Sequence, residues 1–180
     1  LTFEFLENGS IKNIEAENIR LNLKPGTPFS KEISSIYLRK RSPEVAYHPL
    51  FGQGSNSHFT FIDDKYVVKG SWDDIHYTCI LQLSPHSYAW KWNIEISNQA
   101  SHGFELDLVY FQEIGLKNAH EGLVNEYYVS QYLERMVLQD AEHGAVIACR
   151  QNNKEATGHP WLMLASLKTA STGLTDGIQF

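Results

Sequence analysis

The densest concentration of residues able to do chemistry in this chain is NEYYVSQYLER, Asn125 to Arg135. Asn125 and Gln131 carry amides that both donate to and accept from hydroxyl groups. Tyr128 and Tyr132 offer flat rings suited to stacking on a pyranose face, with a phenolic hydroxyl at the rim. Glu121, Glu126 and Glu134 flank the aromatic run. Three readings are open: a catalytic helix, a carbohydrate-contacting strand, or scaffold. The helical period between Lys117 and Gln139 is imperfect, and YYVSQYL fits an extended segment at least as well. If extended, Tyr128, Ser130 and Tyr132 share one face, while Tyr127, Val129 and Gln131 share the other.

Other constellations are weaker. Glycosidic chemistry needs a protonated acid in a pocket and a base or nucleophile on the opposite face. The pairs Asp63-Asp64 and Asp73-Asp74 sit where Asp commonly supports turns, so they read as turns and rims. FGQGSNSH at 51–58 lacks the third glycine of a dinucleotide fingerprint, and Ser55 lacks the frame of a nucleophile elbow; it reads as a loop entering the next strand. The eight histidines form no H-E-x-x-H and no Cys/His finger spacing. His58 and His76 lie on separate expected strands and could meet across a sheet, but two histidines without a third ligand seldom hold a metal. The sequon Asn8-Gly9-Ser10 falls in an expected hairpin turn, where coincidence is the simpler account. No nucleophile, base and acid assemble, and no metal or cofactor is expected.

The elements that must position these residues are strands. Alternating apolar residues flank Asn8-Gly9, the pair suited to a type I′ turn. NIRLNL and EISSIYLRKR read as further strands around the breaker PGTPF at 25–29. From Phe51 the text is a meander: SHFTFID, KYVVKGSW, IHYTCILQLS, YAWKWNIEIS and FELDLVYF, with turns every eight to twelve residues. Tyr88, Trp90, Trp92, Ile94 and Ile96 share one face there. Trp72 and Trp161 complete the tryptophans, all four reading as core and rim. GAVIACRQ and PWLMLASL read as two more buried strands. The expectation is all-β: one antiparallel two-sheet sandwich domain over residues 1–180.

Composition agrees. Hydrophobic residues make up 42% and charged residues 20%, which are globular values. The net charge of −6, with no basic run beyond Arg39-Lys40-Arg41, argues against nucleic acid and anionic membranes as partners. Cys79 and Cys149 each sit in an apolar segment and read as buried free thiols. No stretch approaches the roughly 18 apolar residues of a membrane span, and no signal peptide opens the chain. A soluble, reducing, cytoplasmic setting is expected. The chain opens at Leu1 without Met, directly in a strand pattern, as a piece of a longer polypeptide would.

Three phrases together, FLENGSIKNIEAENIRLNL, SSIYLRKR and FQEIGLKNAHEGLVNEYYVSQYLE, resemble the β-sandwich domain of the inverting phosphorylases of glycoside hydrolase family 94. Within that family the resemblance is greatest to the 1,2-β-oligoglucan phosphorylases and the phosphorylase-like part of cyclic β-1,2-glucan synthases. Their pattern N-E-x-Y-x-S-Q-Y falls here on Asn125 to Tyr132. The resemblance implies a galactose-mutarotase-like supersandwich, joined by helices to a later (α/α)6 barrel. It implies that an Asp of the barrel, outside residues 1–180, acts as general acid. Inorganic phosphate is then the co-substrate, and β-1,2-glucooligosaccharide is converted to α-glucose 1-phosphate and a shortened glucan.

On the same resemblance, the segment from Asn125 to Tyr132 approaches the acceptor-sugar subsite, with Asn125, Tyr128, Gln131 and Tyr132 as candidate contacts. Cellobiose-phosphorylase-like relatives carry an arginine near Ser130, so a different acceptor geometry is implied here. Relatives often pair through this region, so a homodimer is an expectation. The fragment alone is expected to be catalytically inert. Two alternatives stay open: a stand-alone carbohydrate-binding module, and a purely structural domain such as that of a cyclic β-1,2-glucan synthase.

Overall fold

The computed structural model describes residues 1–29, 33–156, 158–167 and 172–175. In chain order its strands are β1 (Thr2–Phe5), β2 (Ile11–Ala16), β3 (Ile19–Arg20), β4 (Ser34–Lys40), β5 (Ala46–Pro49), β6 (His58–Ile62), β7 (Lys65–Trp72), β8 (Ile75–Leu83), β9 (Trp90–Asn98), β10 (Leu106–Gln112) and β11 (Lys117–Asn118). Two short helices follow, α1 (Ala119–Val124) and α2 (Glu126–Gln131), and then β12 (Leu133–Asp140), β13 (Gly144–Gln151) and β14 (Trp161–Ala165). The architecture is all-β with several antiparallel sheets. By internal contacts the chain divides into two compact units. The first comprises Leu1–Ala16 and Pro25–Gln112, and the second Glu17–Lys24 and Glu113–Phe180.

The first unit is layered. Strands β6, β7, β8 and β9 form one sheet in sequence order, and β10, β4 and β5 form another. Alternation sets the buried face of the larger sheet. Tyr66, Leu81 and Trp92 stand in register across three strands, and Val68, Cys79 and Ile94 form the next row. Tyr66, Val68, Cys79 and Leu81 are almost fully buried, as are Ile36 and Leu38 of the facing sheet. Apolar burial of this kind is the main favourable term in folding. Burial also pushes the Cys79 thiol up to about 12. Cys79 and Cys149 are both free and buried, as expected.

Polar links cross the layers of this unit. His48 of β5 meets the Tyr77 hydroxyl of β8 at 3.0 Å, and that hydroxyl lies 2.7 Å from Ser57 Oγ. Ser57 Oγ in turn donates to the Leu50 carbonyl at 2.7 Å, so the chain of partners is complete. Burial holds the His48 pKa below its ordinary value. Trp92 stacks on Phe51 at 5.0 Å, and Trp90 meets Phe3 edge-on at 5.6 Å. At the sheet's edge, Lys40 pairs with Asp73 and lies over the Trp72 ring.

One turn differs from expectation in an instructive way. The β1–β2 connection is not a two-residue type I′ turn. Gly9 donates to the Leu6 carbonyl at 3.0 Å, Leu6 donates to the Ser10 carbonyl, and positive φ falls on Gly9 alone, at 81°. The Asn8 side chain instead accepts from the Ser10 N–H, which makes a three-residue loop the better-bonded solution. The two-residue turn with both φ values positive is Asp63-Asp64, at 47° and 60°, between the paired residues Ile62 and Lys65. His58 and His76 do not face one another, because β7 lies between their strands.

In the second unit, β12, β13 and β14 form an antiparallel sheet with continuous register from Leu133↔Gln151 to Asp140↔Gly144. Leu133, Ala145, Cys149, Gln151 and Leu162 are buried on its inner face. A short pairing of β3 with β11 places Lys117 opposite Arg20. This brings the chain to the start of the two helices.

Candidate functional site

Of the segment singled out by composition, Glu126–Gln131 is helical, and Leu133 to Arg135 open β12. Asn118 caps α1 by accepting from the His120 N–H at 3.0 Å. The Asn125 N–H closes α1 on the Glu121 carbonyl, and the Asn125 carbonyl receives the Val129 N–H at 2.9 Å to open α2. The extended reading fails at Gln131: strand alternation would bury it together with Val129, at 1% exposure, and Leu133, at 8%, yet it is exposed.

The four nominated residues are nevertheless brought together. At 3.6 residues per turn, Asn125, Tyr128, Gln131 and Tyr132 fall within an arc of roughly 120° on one side of α2. All four are exposed, with Tyr128 at 48% and Tyr132 at 40%. The two tyrosine rings lie 4.7 Å apart at 50°. A hydrogen bond with Tyr132 raises the Tyr128 pKa, so the Tyr128 phenol stays protonated and able to donate across the neutral range. The side chains of Glu126 and Tyr127 lie outside the described residues. Glu121 pairs with Lys117, and Glu134 accepts from the exposed Asn152 amide at 3.4 Å. Neither belongs to an acid–base pair.

Composition missed what braces this face. Lys117, only 3% exposed, pairs with Glu155 and lies 2.9 Å from Glu121. Burial works to lower its pKa, but the bonds to Glu155 and Glu121 outweigh that and raise it, so the ammonium persists. Gln151, with no exposed surface, donates to the Gly115 carbonyl at 3.0 Å and the Val129 carbonyl at 3.1 Å, while its oxygen accepts from Asn153 N–H. The Asn152 N–H adds a bond to the Tyr132 carbonyl at 2.8 Å. Lys117 and Glu121 are four residues apart, but Lys117 belongs to β11, so the pair joins the strand to α1 and is not a helix signal. Gln151 carries no local signal either, since its partners are distant in sequence.

What this face can do chemically is bind. It presents two amides, two phenols and two ring faces on a helix held at its Val129 carbonyl by the buried Gln151 side chain. Among the described residues, no group of three or more His, Cys, Asp or Glu could hold a metal ion, and no helix is long and apolar enough to cross a membrane.

Comparison with known proteins shows similarity along nearly the whole chain. Residues 4–180 match the model described as the SOGP N-terminal domain. Over 178 residues the chain is 25% identical to a 1,2-beta-oligoglucan phosphorylase of Listeria innocua serovar 6a. That alignment covers 98% of this chain but only 16% of the relative's length.

Proposed function

The chain belongs to the SOGP N-terminal domain family, and on that premise we propose that it is the non-catalytic N-terminal part of an inverting phosphorylase acting on β-1,2-linked glucooligosaccharides. In that reaction a phosphate oxygen attacks the anomeric carbon, the glycosidic C–O bond breaks, and the leaving oxygen takes a proton from a carboxylic acid. The β linkage becomes α-glucose 1-phosphate by inversion. The acid belongs to the helical barrel beyond these 180 residues. This domain's share is to orient the sugar chain beside that barrel.

The observation that carries this reading is the clustering of Asn125, Tyr128, Gln131 and Tyr132 on one exposed side of a braced helix. The amides and phenols hydrogen-bond sugar hydroxyls, and the Tyr128–Tyr132 pair receives a pyranose face. A rigid mount matters because a misplaced positioning group loses rate steeply. The test is phosphorolysis by the full-length protein carrying Tyr128→Ala or Gln131→Ala. The expected result is a rise in KM for the oligosaccharide of about tenfold, the size of one lost stacking or charge-free polar contact, with the KM for phosphate unchanged. Unchanged oligosaccharide KM in both variants returns the helix face to scaffold.

A further inference from the structure

The sheet of β6 to β9 ends on β9, whose far edge has no backbone partner among the described residues. Native proteins blunt such edges with short strands, bulges, prolines or inward-pointing charges. β9 has none of these. It is nine residues long, contains no proline, and pairs with β8 in unbroken register from Trp90 to Asn98. Its apolar side is incompletely covered, with Ile94 half-buried and Ile96 41% exposed.

The ladder to β8 fixes which backbone groups are free. Just beyond its two ends, the Ser84 N–H donates to the Ala89 carbonyl and the Gln99 N–H to the Asp74 carbonyl, both at 2.8 Å. Each is a bond between directly opposed residues, so these are hydrogen-bonded pairs. Alternation along the ladder then makes Lys91, Asn93, Glu95 and Ser97 the residues whose backbone groups face β8. The N–H groups and carbonyls of Trp90, Trp92, Ile94 and Ile96 point away from the sheet.

We propose that β9 pairs with β9 of a second copy of this chain, antiparallel across a twofold axis at Asn93, so that two four-stranded sheets become one. Backbone parity and charge select this occupant and this register. Outward-facing groups bond only one another, so each of Trp90, Trp92, Ile94 and Ile96 must stand opposite another of the same set. With Asn93 on the axis, Trp92 meets the partner's Ile94 and Trp90 meets the partner's Ile96 as hydrogen-bonded pairs, which covers the exposed Ile96 side chain. On the other face Lys91 meets the partner's Glu95, and Glu95 the partner's Lys91. These are non-hydrogen-bonded pairs, the kind in which side chains approach most closely. Moving the axis to Trp92 or Ile94 puts Lys91 opposite Asn93 or Ser97, and moving it to Lys91 or Glu95 puts like charges opposite one another. Within its own sheet Lys91 stands opposite Gln82 and Glu95 opposite Thr78, so each charge meets its opposite only across the axis. A strand whose charges are complementary about its own midpoint fits a copy of itself.

The interface uses no residue of the α2 face and does not depend on the phosphorylase reading. Its test is sedimentation velocity of the full-length protein over a concentration series, with amide exchange at Trp92 and Ile94 as a second readout. The expected result is a reversible dimer in which protection of those amides rises with concentration. Lys91→Glu and Glu95→Lys, both at exposed positions, each set like charges opposite one another and are expected to weaken the dimer by about tenfold or more. Mixing the two single variants puts opposite charges face to face again, and the heterodimer is expected to recover wild-type affinity. Ile96→Pro removes an outward-facing donor without touching the ladder to β8, so it should abolish the dimer while the fold persists. A protein that stays monomeric throughout the series overturns the proposal. So does a monomer whose Trp92 and Ile94 amides are protected at every concentration, since another stretch of the same polypeptide then covers the edge. A dimer indifferent to all three variants overturns it as well, and single variants that stay apart when mixed overturn the Asn93 register.

Discussion

Replacing Gln151 with leucine removes three hydrogen bonds at one stroke while roughly keeping the volume of the side chain. Gln151 is fully buried, as are Gly115 and Val129, whose carbonyls it satisfies at 3.0 and 3.1 Å. Its oxygen accepts the Asn153 N–H at 3.0 Å, but Asn153 is half-exposed and recovers water. Each buried group left without a partner costs about 1–3 kcal/mol. Two such carbonyls, with a small loss at Asn153, give about 3 kcal/mol, or roughly a hundredfold in the unfolding equilibrium of the second unit. With a urea slope of about 1–3 kcal/mol/M, the midpoint falls by about 1–3 M. Amide exchange localises the effect, since protection should drop first at Val129 to Leu133 and at the end of β13. A loss below about 1 kcal/mol, with exchange at Val129 unchanged, would refute the claim that Gln151 fixes α2.

Two further outcomes follow from the first unit. Asp107 takes hydrogen bonds from Arg41 Nε and Nη2, both at 2.8 Å, and from Arg39 Nε at 2.7 Å, and these lower its pKa from 3.8 to about 2. A depressed carboxylate contributes stability above its unfolded pKa and loses it as pH falls through the folded one. Stability should therefore drop between pH 3.8 and about 2, and Asp107→Asn should flatten that step in acid titrations monitored by circular dichroism. Gly26→Ala would put a Cβ 2.5 Å from the Ile11 carbonyl oxygen, at a site where the Gly26 N–H bonds Lys12 at 2.8 Å. That clash with backbone should cost about 1–3 kcal/mol in thermal unfolding, whereas Gly103→Ala, with nothing within 4 Å, should be near neutral.

Much of the fold was legible, and what was not has identifiable causes. The meander from β6 to β9 announces itself because alternation is strict and Asp63-Asp64 and Asp73-Asp74 punctuate it; β7 matches KYVVKGSW and β13 matches GAVIACRQ residue for residue. The Asn8-Gly9 hairpin was located correctly but mistyped, because the Asn8 side-chain bond to Ser10 selects a longer loop. β5 was missed, being four residues whose burial depends on a sheet partner and not on a pattern of their own. The helices were misread for a physical reason. Six residues are under two turns, too short for a 3.6-residue period to show, and Tyr127, Tyr128 and Tyr132 carry strand propensity. The four nominated residues share a face by helix geometry, where strand geometry would have split them. Their buttress, Lys117 with Glu155 and Gln151 with Val129, is made by long-range pairs that no local window displays.

The most direct test of the proposed function is release of α-glucose 1-phosphate from β-1,2-linked glucooligosaccharides, measured for the full-length protein and for residues 1–180 with and without inorganic phosphate. Release by the full-length protein only, strictly dependent on phosphate, is the expected result. Release by residues 1–180 alone would contradict a non-catalytic role for this domain, and no phosphate-dependent release by the full-length protein would contradict the phosphorylase assignment itself.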